Sequence, residues 1–310
     1  MQLKSLAIVS ILAAAATSCG GDNSSCTNAK QEDKEIGVQL YSVRKPIDEQ
    51  IKNGGSIASV LDSLASWGYT WVEAANYNYN DGTFYGMTPA DYKAAVEAAG
   101  LKSRSSHTTL GLSDEEMKSG NFAEKLAQWD KLIADHKAAG IDYIVTPWSN
   151  VPETLAELDN YVKYQNAIGH KCAEAGINYG YHNHSHEFQK VEDKDVMLEY
   201  MIQNTDPDSV FYEMDVYWTM RGAASPVELF KKYPGRFRLL HIKDHREVGQ
   251  SGMVGYDAIF SNTDAAGTEG IVVEVEGSSY GNTTDDLYRT MKESSDYLKK
   301  APFVKSSYWK

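Results

Sequence analysis

Residues 170–188 read "HKCAEAGINYGYHNHSHEF". Up to Gly176, the apolar residues of "LDNYVKYQNAIGHKCAEAG" recur at helical spacing. Gly176 stands where the end of a helix needs an unhindered left-handed residue. "INYGYHNH" from Ile177 then reads as a strand, and a cluster of ionisable side chains follows at its end. The segment is therefore one helix-to-strand joint with chemistry at the C-terminal end of the strand.

The same joint recurs along the chain. Strand-like runs begin "IGVQLYSV" at Ile36, "YTWVEAA" at Tyr69, "LKSRSSHT" at Leu101 and "DYIVTPW" at Asp142. They continue with "INYGYHNH", then "VFYEMDVYW" at Val210, "FRLLHIKD" at Phe237 and "IVVEVEG" at Ile271. Helical spacing fills most gaps, as in "PADYKAAVEAAG", "AEKLAQWDKLIADHKAAG" and "SPVELFKKYPG", and Gly68, Gly100, Gly140 and Gly176 each stand just before a strand. Such alternation marks parallel strands joined by crossover helices. Eight units predict a closed (β/α)8 barrel, the TIM-barrel architecture, as a single α/β domain over residues 36–310. An open doubly wound sheet usually begins with a glycine-rich phosphate turn, whereas the first strand here is followed by "RKPIDEQ", with no GxGxxG or P-loop.

The first twenty residues, "MQLKSLAIVSILAAAATSCG", have a cation at Lys4, an apolar run and small residues ahead of Cys19. This is the shape of a secretory signal, and "ATSC" resembles a bacterial lipobox. Residues 1–18 are expected to be removed, Cys19 to be lipidated, and residues 19–35 to form a flexible tether that holds the protein outside the cytoplasm. The membrane is thus a partner only through the lipid anchor. A formal net charge of -13 argues against a nucleic-acid partner, which needs a basic surface. Three cysteines make no disulfide framework, and Cys172 reads as a small buried apolar residue.

In a barrel the C-terminal strand ends form the active-site face. The polar residues there are Glu73, His107, Glu187, Asp215, His241 and Glu274, and the last four fall on consecutive units, 28, 26 and 33 residues apart. Adjacent strands lie about 5 Å apart, so these four can converge on one point. Three carboxylates and one imidazole make a cage for one divalent ion. The oxygen-rich set favours Mn²⁺, Mg²⁺ or Co²⁺, with Zn²⁺ also compatible. Each residue also has a structural reading. Glu274 and Asp215 lie in apolar strands, where a buried carboxylate needs a partner; His241 reads equally as a core histidine and Glu187 as a helix cap. Glu73 and His107 read as support for the cage, as substrate contacts, or as interior residues bonded to neighbours. Alternation puts His182, His184 and His186 on one face and Asn183, Ser185 and Glu187 on the other. The cage claims the face of Glu187, leaving the histidines to orient it or to touch substrate.

The stretches "GVQLYSVR", "YHNHSHEF", "MDVYWTMRGAASPVELFKKYPGRFRLLHIKD", "VGQSGMVGYDAIF" and "VVEVEG" resemble the sugar phosphate isomerase/epimerase family, the xylose isomerase-like TIM barrels. The resemblance implies that Glu187, Asp215, His241 and Glu274 bind one divalent metal and that Glu187 and Glu274 exchange the substrate proton. The chain departs from ketose epimerases of this type in having Trp218 where a substrate-binding histidine is common, and in offering Lys243 or Arg246 for an arginine. His107, His184, Trp218, Lys243 and Glu73 are the expected substrate contacts, with Trp71 and Trp148 as further stacking surfaces.

The expected activity is a metal-dependent isomerisation or epimerisation of a carbohydrate, by proton abstraction next to a carbonyl through a metal-stabilised enediolate. A non-phosphorylated substrate is expected from the export signal and from the lack of a glycine-rich anion cradle after the seventh or eighth strand, "VGQSG" being the nearest candidate. Two alternatives stand beside it: a 3-keto-glycoside lyase using the same metal and base for β-elimination, and an inactive lipid-anchored sugar-binding protein. The abasic-site endonuclease branch of the fold fits poorly with the acidic charge and the few strand-end histidines.

Overall fold

The structure, a computed structural model, describes residues 33–309. The signal segment, Cys19, Cys26 and the tether up to Glu32 lie outside the described residues. Lys34 and Glu35, expected in the tether, already join the barrel: the Lys34 ammonium donates to the Leu298 and Ala301 carbonyls, and the Glu35 amide donates to the Ser306 carbonyl.

Eight parallel strands close on one another in sequence order: β1 (Gly37–Gln39), β2 (Trp71–Ala74), β3 (Lys102–His107), β4 (Tyr143–Thr146), β5 (Asn178–His182), β6 (Val210–Asp215), β7 (Leu239–Ile242) and β8 (Gly270–Val273). Each lies within its expected run, except that β8 begins one residue earlier, at Gly270. Helices fill the gaps, among them Pro89–Ala98, Ala123–Ala138, Leu155–Glu174, Pro226–Lys232 and Thr284–Lys300. Their starts are written in the sequence: Thr88 and Ser225 cap helices that carry proline in the first turn, and Thr283 with Asp286 forms a capping box. Gly140 and Gly176 adopt φ of 74°, the left-handed stop that a side chain would strain. Two short hairpins, at 77–84 and 190–196, decorate the strand-end loops.

Strand alternation sorts the core into two parts. Outward-facing side chains such as Val72, Ile144, Tyr179, Tyr181, Tyr212 and Leu240 join the main cluster beneath the helices. Inward-facing Tyr143, Val145, Phe211 and Leu239 form a separate cluster, against which Trp309 packs. Two residues further along the same strands, the inward positions turn polar: Phe211 is followed by Glu213 and Asp215, Leu239 by His241, Trp71 by Glu73. The barrel is thus apolar at its N-terminal end and ionisable at its C-terminal end. Cys172 is free and fully buried, as expected.

Candidate active site

Fully buried Glu73 and Glu213 form the base of the site. Glu73 accepts from Gln39 (2.7 Å), from the Ser105 hydroxyl and from His241 Nε2 (2.7 Å). Glu213 Oε2 lies 2.6 Å from His107 Nε2, 3.1 Å from His182 Nδ1 and 3.1 Å from His241 Nε2. Register explains the meeting, because Glu213 pairs with His182 on β5 and Asp215 with His241 on β7. Burial works against charge on His241, but the Glu213 and Glu73 carboxylates overcome it and raise its pKa well above the ordinary value. His182 goes the other way, lowered by burial and by the charge on His241.

Above this base, His182, Asp215, His241 and Glu274 each offer one ligand atom, and the four atoms lie within 4.8 Å of one another. A deeper set, His107, His182, Glu213 and His241, meets the same criterion. Each set contains a buried carboxylate oxygen without a partner, Asp215 Oδ2 in the upper and Glu213 Oε1 in the lower. The upper set suits a cation better for two reasons. The lower set is closed on itself, because Glu213 Oε2 lies within 3.1 Å of all three of its imidazoles, whereas in the upper set one of the carboxylates, Glu274, lines an open cleft of about 270 Å³. Moreover, Glu73 and Glu213 engage His241 Nε2, and Glu213 engages His182 Nδ1, which fixes the rings with His182 Nε2 and His241 Nδ1 on the side of the upper set, where His241 Nδ1 lies 3.3 Å from Glu274 Oε2. This is the carboxylate-histidine arrangement that supports metal ligands. Asp215 is oriented by its own helix: Oδ1 accepts from the Trp218 amide at 2.7 Å as the cap of Val216–Arg221, which leaves Oδ2 free. Burial pushes the Asp215 carboxyl up to about 7, the cost that a bound cation would relieve.

Burial would also raise Glu274, but Lys243 and His241 hold it well below the ordinary carboxylate range. Lys243 Nζ sits 3.1 Å from Glu274 Oε2 and 2.9 Å from Glu276 Oε2, with the Trp218 ring 5.4 Å away.

The structure brings together three of the four expected ligands, Asp215, His241 and Glu274, with His182 beside them, while the Glu187 carboxylate bonds to its own loop. The strand ends at His182, and the chain turns into a short 3-10 helix, His186–Phe188, so alternation does not carry through to Glu187. Its buried carboxylate accepts from the Tyr181 hydroxyl (2.8 Å) and the His184 amide (2.9 Å), and His186 Nε2 lies 3.2 Å away. Tyr181 faces outward against Tyr161 of helix Leu155–Glu174, so Glu187 ties the loop down on the outer side of the wall. Among the expected substrate contacts, His107 and His184 line the cleft, and Trp218 and Lys243 line a neighbouring depression that shares Glu276 with it. Glu73 lines neither and lies beneath the site. Trp71 belongs to the apolar end, edge-on to Trp309. Glu213, Gln39 and Glu276 were missed, although Glu213 and Glu276 stand two residues from Asp215 and Glu274 and share their faces.

A family model described as xylose isomerase-like TIM barrel matches residues 61–301. Over 208 residues the chain is 24% identical to an inosose dehydratase of Geobacillus kaustophilus (strain HTA426), spanning 60% of this chain and 61% of that relative's length. A sugar phosphate isomerase/epimerase from Parabacteroides distasonis ATCC 8503 superposes with a TM-score of 0.77 at 35% identity, covering 88% of this chain and 96% of its own. A D-psicose 3-epimerase from Clostridium cellulolyticum H10 shares the fold, with a TM-score of 0.64 at 13% identity over 87% of this chain and 99% of its own. With the family model matched over most of its length and a solved relative at this identity, the chain belongs to the xylose isomerase-like TIM barrel family.

Proposed function

We propose that the protein is a divalent-metal-dependent sugar enzyme of the isomerase/epimerase type, whose first step removes a proton from the carbon next to a carbonyl. The observation that carries this reading is the convergence of His182, Asp215, His241 and Glu274 at the floor of the cleft, with Lys243 against Glu274. Two nitrogens and two oxygens suit Mn²⁺, Co²⁺ or Zn²⁺ better than Mg²⁺. Bound there, the ion would act as a Lewis acid toward the substrate carbonyl. The chain's own groups do the rest. Glu274, kept ionised by Lys243 and His241, accepts the proton. The Lys243 ammonium, whose pKa is raised despite burial by Glu274 and Asp215, donates a hydrogen bond to the substrate oxygen that gains charge.

A neutral sugar is the substrate we favour. The backbone amides of Gly249 and Ser251 in "VGQSG", the nearest approach to an anion cradle, point at the Asp244 carboxylate at 3.2 and 3.3 Å. The cradle is thus filled by the protein's own anion. Relatives named as an inosose dehydratase, a sugar phosphate isomerase/epimerase and a D-psicose 3-epimerase support a sugar-type substrate.

The second reading is β-elimination from a keto-glycoside, and one observation favours it. Glu274 and Glu276 lie on the same chain segment, so both carboxylates of the cleft approach substrate from one side. Epimerisation by two carboxylates needs one on each face, and both oxygens of Glu187 are engaged, by the Tyr181 hydroxyl and the His184 amide. Proton exchange in D₂O over neutral ketoses, their phosphates and 3-keto-glycosides tests both readings. Glu274→Gln should retain metal yet lose α-carbon exchange by about 100-fold or more. Wild-type exchange rates in that variant, or exchange confined to phosphorylated sugars, would overturn the assignment.

A further inference from the structure

Beside the inner cleft lies a second chamber of about 410 Å³, built by the loops after β3 and β4. Trp148 lines both spaces. Trp148 is 51% exposed and is held by two imidazoles, with its ring centroid 4.0 Å from the tilted His186 and 5.1 Å from the edge-on His184. An indole held in place yet left open to solvent carries an unburied apolar face, and a sugar ring offers a matching C–H face. Asn150 and Asp114 line the same chamber and bring polar side chains to it. The inner cleft, about 270 Å³, falls under the roughly 300–1,000 Å³ usual for small-molecule sites, and the neighbouring chamber across Trp148 offers about 410 Å³ more. The wider depression beside Lys243, about 610 Å³, is lined by Arg221, Lys243, Asp244, Arg246 and Glu276, a charged surface on which a sugar's C–H face gains less than on the open indole of Trp148.

We propose that the substrate is a glycoside of at least two rings, with the reacting sugar in the inner cleft and the attached ring in the outer chamber, stacked on Trp148. This rests on the sugar-enzyme reading above and names its substrate class. Whether the reacting ring is isomerised or loses its partner by elimination, the outer ring supplies binding and position.

Gly111 lines the outer chamber, its φ is not in the left-handed region, and a Cβ added there meets nothing within 4 Å. Gly111→Trp therefore fills the chamber without straining the backbone. Titration calorimetry of the purified enzyme with cellobiose, maltose and lactose, against D-glucose and D-fructose, reads the effect. At least one disaccharide should bind about ten-fold tighter than the monosaccharides. Gly111→Trp should erase that gap while leaving monosaccharide affinity within about two-fold, and Trp148→Ala should shrink it from the other side. Disaccharides binding no tighter than monosaccharides, or a gap that survives Gly111→Trp, overturns the subsite. Absence of binding by every sugar overturns the subsite and the sugar reading together. A preserved disaccharide preference with no proton exchange removes only the proposed chemistry.

Discussion

His182 and Glu187 stand five positions apart in one loop and have opposite surroundings. His182 has one nitrogen tied to Glu213 and faces the cleft, whereas Glu187 has both oxygens hydrogen-bonded within its own segment. Removing a ligand should therefore separate them. His182→Ala is expected to weaken divalent-metal affinity by about 100-fold or more, and Glu187→Gln to leave it within a few-fold while lowering stability. Metal titration of the apo-protein decides, and tight binding by His182→Ala with loss in Glu187→Gln would restore the glutamate as ligand. The sequence shows why the two are hard to tell apart. Asp215, His241 and Glu274 lie on strands, where a period of two fixes which way each side chain points. Glu187 lies after a strand has ended, and nothing in "HNHSHEF" marks that end. Of the three histidines in this run, His184 was expected to touch substrate and does line the cleft, whereas His182, the last residue of the strand, also joins the possible ligand set.

At the scale of elements, the strand and helix pattern was legible because each repeat combines a buried strand with a helix, several of them capped by a serine or threonine, and often a left-handed glycine. The short hairpins were not, since two-residue strands leave no periodic trace. How one helix is fastened to the barrel was also hidden. His136, on Ala123–Ala138, is fully buried between Tyr77 and Phe84, with Nδ1 2.7 Å from the Leu132 carbonyl and Nε2 3.2 Å from the Ser106 hydroxyl of β3. Burial lowers its pKa from 6.5 to about 4. The unfolded chain therefore takes up a proton below about pH 6.5, which the folded protein refuses until about pH 4. Stability from this residue is complete at pH 7 and declines as pH falls through that window, by up to about 3 kcal/mol. Urea unfolding of wild type and His136→Gln at pH 7 and pH 5 should show the gap between them narrowing by about 2 kcal/mol at the lower pH. An unchanged gap would mean that His136 titrates normally.

Over the whole molecule, the barrel keeps its reactive end open and its other end shut, and the two ends of the described chain do the shutting. The Glu35 amide bonds to the Ser306 carbonyl, and Ser307 donates to the Glu35 carboxylate, bringing the first strand's approach against the last residues. Trp309 then covers the apolar cluster, 5.4 Å from the Trp71 ring and 5.6 Å from Tyr143, with the Arg104 guanidinium 4.3 Å from its own ring. The packing reaches the backbone: a Cβ at Gly270 would lie 2.8 Å from the indole, which is why a residue without one begins β8. Trp309→Ala exposes this floor to water and leaves a void beneath Tyr143 and Leu239. Because the indole is partly exposed, the cost should fall below that of a fully buried tryptophan, about 2–3 kcal/mol, and lower the melting temperature by about 4–10 °C. The ligand set lies on the far side of the Glu73 and Glu213 base, so metal affinity should stay within about two-fold. Thermal unfolding and metal titration of the same preparation read both quantities. A melting temperature within a degree of wild type would show that the floor is closed without Trp309, and a large loss of metal affinity would show that the two ends of the barrel are coupled.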